Sequence, residues 1–441
     1  TTLEKICSVG IGFVQLGFIF FCMLDPCDAV VYEVGPTKPF NTISTLPLDS
    51  LNPGDVIKIH YKESPYYEKI ILRRAGTREL PIVFEGILEK GKRPIIDGNR
   101  AVQKQKDNLS QSGRWLIKVG DETSGDYIKI KNLELRGANN LNNYSYGCHQ
   151  YYYQDNAAGV FVKAGKNVLI SGCLIHGCGN GVQTSYGPNV SGVVISNCII
   201  YDNGNHRNIK SSQEHNGYLC GTNSIVQFCR FGEAHSDGNN IKDRGKNTII
   251  RYNWIEGGKN RQIDLVEHTE YGRSDAYVYG NVIVQGHKIH NFNMINWGGE
   301  KGSRSGILYL FNNTIVGKSH LTQYIVSRYP DCHTVMINNA FLGAGILWKG
   351  VGHVAGSHNW FSKWINLPGY GNLGLKGSSP GVFLNGRMKY MPIQGSPLVN
   401  NGTNATPIAV TCMPKQYSSG YKRPNRGPLD IGAFEAIQKR K

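Results

Sequence analysis

Ile250-Arg-Tyr-Asn253-Trp-Ile255, set against Val194-Ile-Ser-Asn197-Cys-Ile199, is the stretch whose reading decides the fold. A short apolar segment with a polar residue at its centre, usually Asn, keeps returning along the chain. The centres fall at Asn132, Gly172, Asn197, Cys229, Asn253, Asn281, Asn313, Asn339 and Asn359. From Gly172 onward the gaps are 25, 32, 24, 28, 32, 26 and 20 residues. A period in the twenties with strand-like cores is the mark of stacked units that bury one shared interior. The cores are β-branched and aromatic without helical periodicity, so the units are β coils. Longer gaps read as coils with extra loop residues, and loops gathered on one face of a solenoid are where sites are built. The expected architecture is therefore all-β: a parallel β-helix with loop insertions on one face and an irregular C-terminal cap.

Composition supports this and narrows the partners. Gly at 54 of 441 residues, with abundant Asn, suits a chain of many tight turns. Charged residues make up only 18%, yet the balance is +16, which favours an anionic partner. No basic run interleaved with aromatics and no nucleic-acid motif is visible, so the expected partner is an acidic polysaccharide and not nucleic acid. Residues 1–29 read as an export signal: Lys5 precedes an apolar run from Ile6 to Leu24, and Cys27-Asp-Ala29 offers a small-residue cleavage site. The same run is long enough for an uncleaved anchor, the one route to membrane association. A secreted or cell-surface monomer is expected. Eight of eleven cysteines lie beyond this segment. Cys173 and Cys198 should stack in adjacent coils, at a spacing compatible with a disulfide or with two buried thiols. Asn108, Asn143, Asn189, Asn312, Asn401 and Asn404 are glycosylation sequons.

Along the chain, residues 30–365 read as the solenoid and 366–441 as the capping segment. Polar stretches at 101–113, 138–156 and 203–222 read as outward insertions.

From about residue 30 the chain resembles the right-handed parallel β-helix proteins of the pectin-lyase-like superfamily. The resemblance rests on the step GDVIKI (Gly54–Ile59), the Asn-centred coils and the closing RPNRGPLDIGAFE (Arg423–Glu435). It implies the fold, while this architecture hosts many activities. The paired aspartates and Gly-His-Gly of polygalacturonase-like hydrolases are missing. The segment HSDGNNIKDRGKNTIIRYNWI (His235–Ile255) is instead similar to polysaccharide lyase family six, which includes alginate lyases and chondroitinase B. That likeness places Lys242 at the base position, Asp237 at an acidic Ca²⁺-ligand position and Asn205 at the asparagine ligand. Glu233 joins them as a further candidate ligand. Where the family has an Arg-His pair, this chain has Glu267-His268.

The residue types suit such chemistry. Removing the proton beside a uronate carboxylate requires cations on that carboxylate, from a hard metal ion or from Lys and Arg, and a base within reach. Lys242, Arg244 and Lys246 alternate, which on a strand places all three on one side. Arg261 and His268 follow one coil later. The expected catalytic set is thus Lys242, Arg244, Arg261 and His268. His215, His235, Lys246, Glu267, His290 and Trp297 are the expected substrate contacts, Trp297 by sugar stacking. The reading is a lyase acting on an acidic polysaccharide by β-elimination. A uronate epimerase and a non-catalytic carbohydrate-binding solenoid are the alternatives, since an alternating Lys-x-Arg-x-Lys is also the pattern of a solvated strand surface.

Overall fold

The computed structural model describes residues 29–121, 125–205, 214–235, 237–267, 270–287, 289–367, 369, 372–424 and 427–436. Three long sheets run along the solenoid, and beyond the N-terminal edge of the third, neighbouring strands in each follow sequence order through the coils. One coil shows the pattern: Thr248–Arg251 lies in sheet 1, Trp254–Glu256 in sheet 2 and Ile263–Leu265 in sheet 3, before Ala276–Tyr279 returns to sheet 1. Each strand pairs in parallel with its counterpart one coil on, as in Ile250↔Val278, Ile255↔Ile283 and Ile263↔Ile295. This is the expected parallel β-helix. Its interior is a file of branched and aromatic side chains, including Ile195, Val226, Ile250, Val278, Ile255, Ile283, Ile241 and Ile263. Among the described residues no helix is long and apolar enough to cross a membrane.

The corner between sheets 1 and 2 is what the repeated Asn builds. The side-chain Nδ2 of Asn253 donates to Oδ1 of Asn281 at 3.0 Å, Asn281 to Asn313 at 3.0 Å, Asn313 to Asn339 at 3.0 Å and Asn339 to Asn359 at 2.9 Å. Each Oδ1 also accepts the backbone N–H of the preceding Asn in the ladder, and each Nδ2 reaches a backbone carbonyl, Val278 O for Asn313. The carboxamides are fully buried, so a partner for every polar atom is what makes their burial tolerable. Cys229, Cys198 and Cys173 continue the column below Asn253 as buried free thiols. Hydrogen bonding to Cys198 and burial push the Cys173 thiol well above its usual range, and chiefly burial does so for Cys198.

This corrects the register of the repeat by one residue. Asn132, Gly172 and Asn197 belong to the adjacent column of left-handed turn residues, which continues through Phe228, Tyr252, Gly280, Asn312, Asn338 and His358, all with φ between 50° and 67°. Gly and Asn tolerate that conformation best, and the two roles look alike in sequence. Asn312 is buried in this column and donates to Asp430 O and Gly432 O, which removes it from the glycosylation sequons.

The described parts of the insertions include regular strands. Ala101–Gln103 and the hairpin Asn143–Tyr146/His149–Tyr152 extend the N-terminal edge of sheet 3, and Gly217–Leu219 is one of its regular strands. The solenoid also runs past residue 365, because Gly374–Gly377 pairs with Asn359–Ser362 in sheet 2. The C-terminal segment then turns back along the outside of sheet 2 as a lateral cover. Tyr390, Met391, Leu398, Met413, Ile431 and Phe434 pack on the outward Trp254, Val282, Val284, Leu342 and Trp360. Sheet 2 strands such as Val282-Ile-Val284 are therefore apolar on both faces, the pattern of a sheet covered on two sides.

Replacing Asn313 by Ala strands the amides and carbonyls of two neighbouring coils. The expected outcome is a loss of about 2–4 kcal/mol in chemical denaturation, against less than about 1 kcal/mol for an exposed Asn such as Asn401→Ala.

Candidate functional site

In sheet 3 alternate residues point in and out, and parity selects the site. Ile241, Asp243, Ile263, Leu265, Ile295 and Trp297 share the inward columns, whereas Tyr218, Lys242, Asp264 and Asn296 form one outward row across four successive coils. A second outward row, His215, Asn239 and Arg261, lies just before these strands, with the Arg261 N–H donating to Asn239 Oδ1 at 3.0 Å.

Asp264 is the hub of this surface. It is fully buried and accepts from Asn239 Nδ2 at 2.9 Å, Asn296 Nδ2 at 2.9 Å and Arg261 Nη1 at 3.3 Å, with Lys242 Nζ at 3.7 Å. A carboxylate withdrawn from water needs such donors, and here they also fix where Lys242 and Arg261 stand. Lys242 and Arg244 then converge on one further carboxylate: Lys242 Nζ meets Glu300 Oε1 at 2.5 Å, and Arg244 Nη2 bonds Glu300 Oε2. Burial opposes the Glu300 charge, yet the Lys242 hydrogen bond and the charges of Lys242 and Arg244 hold it below the ordinary 4.5.

Glu300 sits at the tip of the turn Gly298-Gly-Glu-Lys-Gly302, where Gly298 has φ 120°. Glu267 pins that turn by accepting the N–H groups of Glu300 at 2.6 Å and Lys301 at 2.9 Å. Beneath it Arg304, 1% exposed, donates to Asp243 Oδ2 at 2.7 Å and to Gly245 O at 2.9 Å. Because Asp243 lies between Lys242 and Arg244, this buried pair anchors the backbone that aims both cations outward. His215 is buried, and desolvation followed by the charges of Lys242, Arg244 and Arg261 pushes its imidazole well below its usual range. Its Nδ1 accepts the Asn239 N–H at 3.1 Å, which places the proton of the neutral ring on Nε2. The Tyr218 hydroxyl accepts from Arg244 Nε at 3.2 Å and shares a hydrogen bond with Tyr186 at 2.8 Å, and burial raises its pKa.

Lys242, Arg244, Arg261, His215 and Glu267 are thus brought together as expected, although Glu267 serves the Glu300 turn, since both its oxygens are taken by backbone N–H groups. His268 lies outside the described residues. Lys246 is not part of the patch: the chain turns after Arg244, and Lys246 bridges Thr222 in the corner column leading to sheet 1. Trp297 is buried in the core with its Nε1 donating to His333 O, so it offers no stacking face.

The residues expected to hold Ca²⁺ do not form one oxygen cage. Asp237 bonds His290, Glu233 faces Lys259 Nζ at 3.7 Å, and Asn205 donates to Asp155 O while accepting from the Asn140 N–H. His235 stands in the same rim group, its Nδ1 3.1 Å from Asp202 Oδ1 and its carbonyl accepting from Lys259. A hard cation takes six to eight oxygens, whereas these face ammonium, imidazole and amide donors. Among the described residues no cluster of three or more His, Cys, Asp or Glu could hold a metal ion. The donor set does not fit calcium.

Tyr218 and Arg304 carry parts of this site that spacing alone did not single out. Tyr218 was legible only once Gly217–Leu219 was aligned as a strand with Ile241–Asp243. Glu300 lies 58 residues from Lys242, and only the glycines around it mark a special turn.

No family model matches the chain. No curated protein matches it either. Among solved structures, pectate lyase Pel9A is similar over 93% of this chain and 98% of its own, at 15% identity and a TM-score of 0.57. An alginate lyase from Paenibacillus sp. str. FPU-7 is similar over 73% of this chain and 95% of its own, at 15% identity and a TM-score of 0.47. A mutant of the PL6 family alginate lyase AlyGC is similar over 79% and 53%, at 10% identity and a TM-score of 0.39. The likeness to the pectate lyase establishes the parallel β-helix fold.

Two outcomes follow from these contacts. Arg304→Ala leaves Asp243 charged, buried and unpaired, and should cost about 3–5 kcal/mol in denaturant unfolding. The Glu300 carboxyl is depressed in the folded state, so its contribution is present above pH 4.5 and is lost as pH falls through the lower folded value. A stability gap of about 1 kcal/mol between the wild type and Glu300→Gln, discounted for partial exposure, should therefore narrow as unfolding is measured at successively lower pH and close once pH falls past the folded value.

Proposed function

We propose that this chain is an exported lyase that cleaves a uronate-containing polysaccharide by β-elimination on the outward face of sheet 3. The observation that supports it is the position of Glu300: a carboxylate lies in a cationic clamp made by Lys242 and Arg244, with Arg261 one coil away. That clamp matches the charge and geometry of a uronate, whose own carboxylate would displace Glu300 on binding.

The chemistry follows from the neighbours. With the substrate carboxylate held by Arg244 and Arg261, negative charge developing beside it is stabilised by fixed cations in a poorly hydrated site. Lys242, released from Glu300, gives up one ammonium proton to solvent and, as the neutral amine, takes the proton from the carbon next to the carboxylate. The electron pair left behind forms the new carbon–carbon double bond as the bond to the glycosidic oxygen breaks. That oxygen takes a proton from the Tyr218 hydroxyl, which recovers one from solvent. Asp264 holds Lys242 and Arg261 in place, and the neutral His215 packs beside them without adding to the positive charge.

Purified protein incubated with polygalacturonate and with alginate should generate the ultraviolet absorbance of unsaturated uronate ends, and chelator should leave the rate unchanged. Lys242→Ala should lower kcat/KM by about 10²–10⁴-fold, the usual contribution of a positioned base. Glu300→Ala should lower KM, because the substrate no longer competes with an internal carboxylate. Retained activity in Lys242→Ala removes the assignment, and C5-inverted products without unsaturated ends turn it into an epimerase.

A further inference from the structure

The last quarter of the chain carries a charge asymmetry that the sheet 3 site does not use. From Cys332 to Leu429 there are nine lysines and arginines and not one Asp or Glu. That span supplies more than half of the net charge of +16. The cations are scattered, so no basic run marks them in sequence, and the fold brings two of them, Arg387 and Lys415, to one cleft. The hairpin Cys412–Lys415/Ser419–Lys422 sits over the corner between sheets 1 and 2. There Asn197 Nδ2 donates to Ser418 O at 3.3 Å, and Gly420 lies so close to the Phe228 ring that a Cβ would collide with it. This hairpin holds Tyr417 at its tip, 70% exposed. Beside it lies a cleft of about 380 Å³ lined by Arg387, Lys415, Gln416, Tyr417 and Tyr421. The Lys415 ammonium stands 5.6 Å from the centre of the Tyr421 ring. Neither Arg387 nor Lys415 joins an ion pair among the described residues, in contrast to Lys242, Arg244 and Arg261 on sheet 3. The exposed Leu384 and Met388 flank Arg387.

We propose that the cleft between Tyr417, Tyr421, Arg387 and Lys415 is a second, non-catalytic binding site for an acidic glycan chain. An exposed aromatic ring offers a face for a pyranose, and two cations outside any ion pair among the described residues favour carboxylated or sulfated sugars. The cleft lies at the corner opposite sheet 3, so one bound stretch of sugar cannot occupy both sites. Its role is to hold the polymer on the protein while another segment reaches Lys242. The identity of the ligand rests on the acidic-polysaccharide reading given above, while the site stands on its own residues.

The test is binding by the full chain in a Lys242→Ala background, so that cleavage plays no part. Affinity electrophoresis and calorimetry would use polygalacturonate, alginate and a sulfated glycan, with dextran as the neutral control and duplex DNA as a competing polyanion. The expected result is salt-sensitive binding to an acidic glycan, weakened at least about tenfold by Tyr417→Ala with Arg387→Ala and Lys415→Ala. In the otherwise wild-type chain, the same three changes should leave turnover of short oligosaccharides unaltered and slow attack on long polymer. Tyr417→Ala alone, at an exposed tip, keeps the test informative if the triple variant folds poorly. Undiminished glycan binding in both variants overturns the proposal, as does binding of DNA without binding of any acidic glycan. Loss of glycan binding in a protein that cleaves nothing supports this site and sinks only the lyase reading.

Discussion

The buried carboxamide ladder from Asn253 to Asn359 is the constraint on which the rest of the structure depends. Each rung satisfies its own polar atoms only when the next coil is in register, because every Oδ1 accepts the N–H of the column residue one coil before it, Cys229 for Asn253 and Asn for the rest. A slip of one residue would leave several amides and carbonyls unpaired in an apolar interior, at roughly 1–3 kcal/mol each. Apolar stacking is permissive by comparison, since Ile, Val and Leu accept one another at small cost. The ladder thereby fixes coil against coil, and the coils carry the side chains of sheet 3 into alignment.

That alignment produces the concentration of charge around Asp264. Lys242, Asp264 and Asn296 come from three coils and meet only because their strands are held at matching heights. Two kinds of acid do different work there. Asp264 and Asp243 are fully buried and serve as fixed counter-charges for Arg261 and Arg304. Glu300 stands on a glycine-flanked turn with its side chain about a third exposed, so it is the one acid of the group whose departure needs no rearrangement of the barrel.

Much of this was legible in sequence and some was not, for definable reasons. Recurring Asn-centred segments announced stacked coils because buried carboxamides and left-handed turns both select Asn. The same coincidence hid the register, since Asn197 occupies the turn column and Asn253 the ladder column. The strand parity of Lys242 was readable from alternation, which fails where the chain turns, and so Lys246 was misplaced. Trp297 followed the same rule in reverse: its column is shared with Leu265, an inward position that the spacing of one strand could not reveal. The C-terminal segment closes the last coil, where Leu373 joins the core, and also a flank, for the strands Val282–Val284 and Ala340–Leu342 are apolar on both faces and must be covered. That two-sided pattern was present in the sequence, but it reads equally as a core strand.

The clamp on Glu300 also bears on selectivity. A ligand reaching Lys242 and Arg244 must replace two charge-assisted bonds to an internal carboxylate, and only another anion does so without leaving cations half-buried and unpaired. A neutral sugar would have to break these contacts and offer hydroxyl groups in return, each worth about half as much as a charged acceptor. The internal carboxylate therefore discriminates by charge before any shape is read. In the proposed lyase it would keep the cations from binding stray solutes weakly and would favour an acidic occupant of this face.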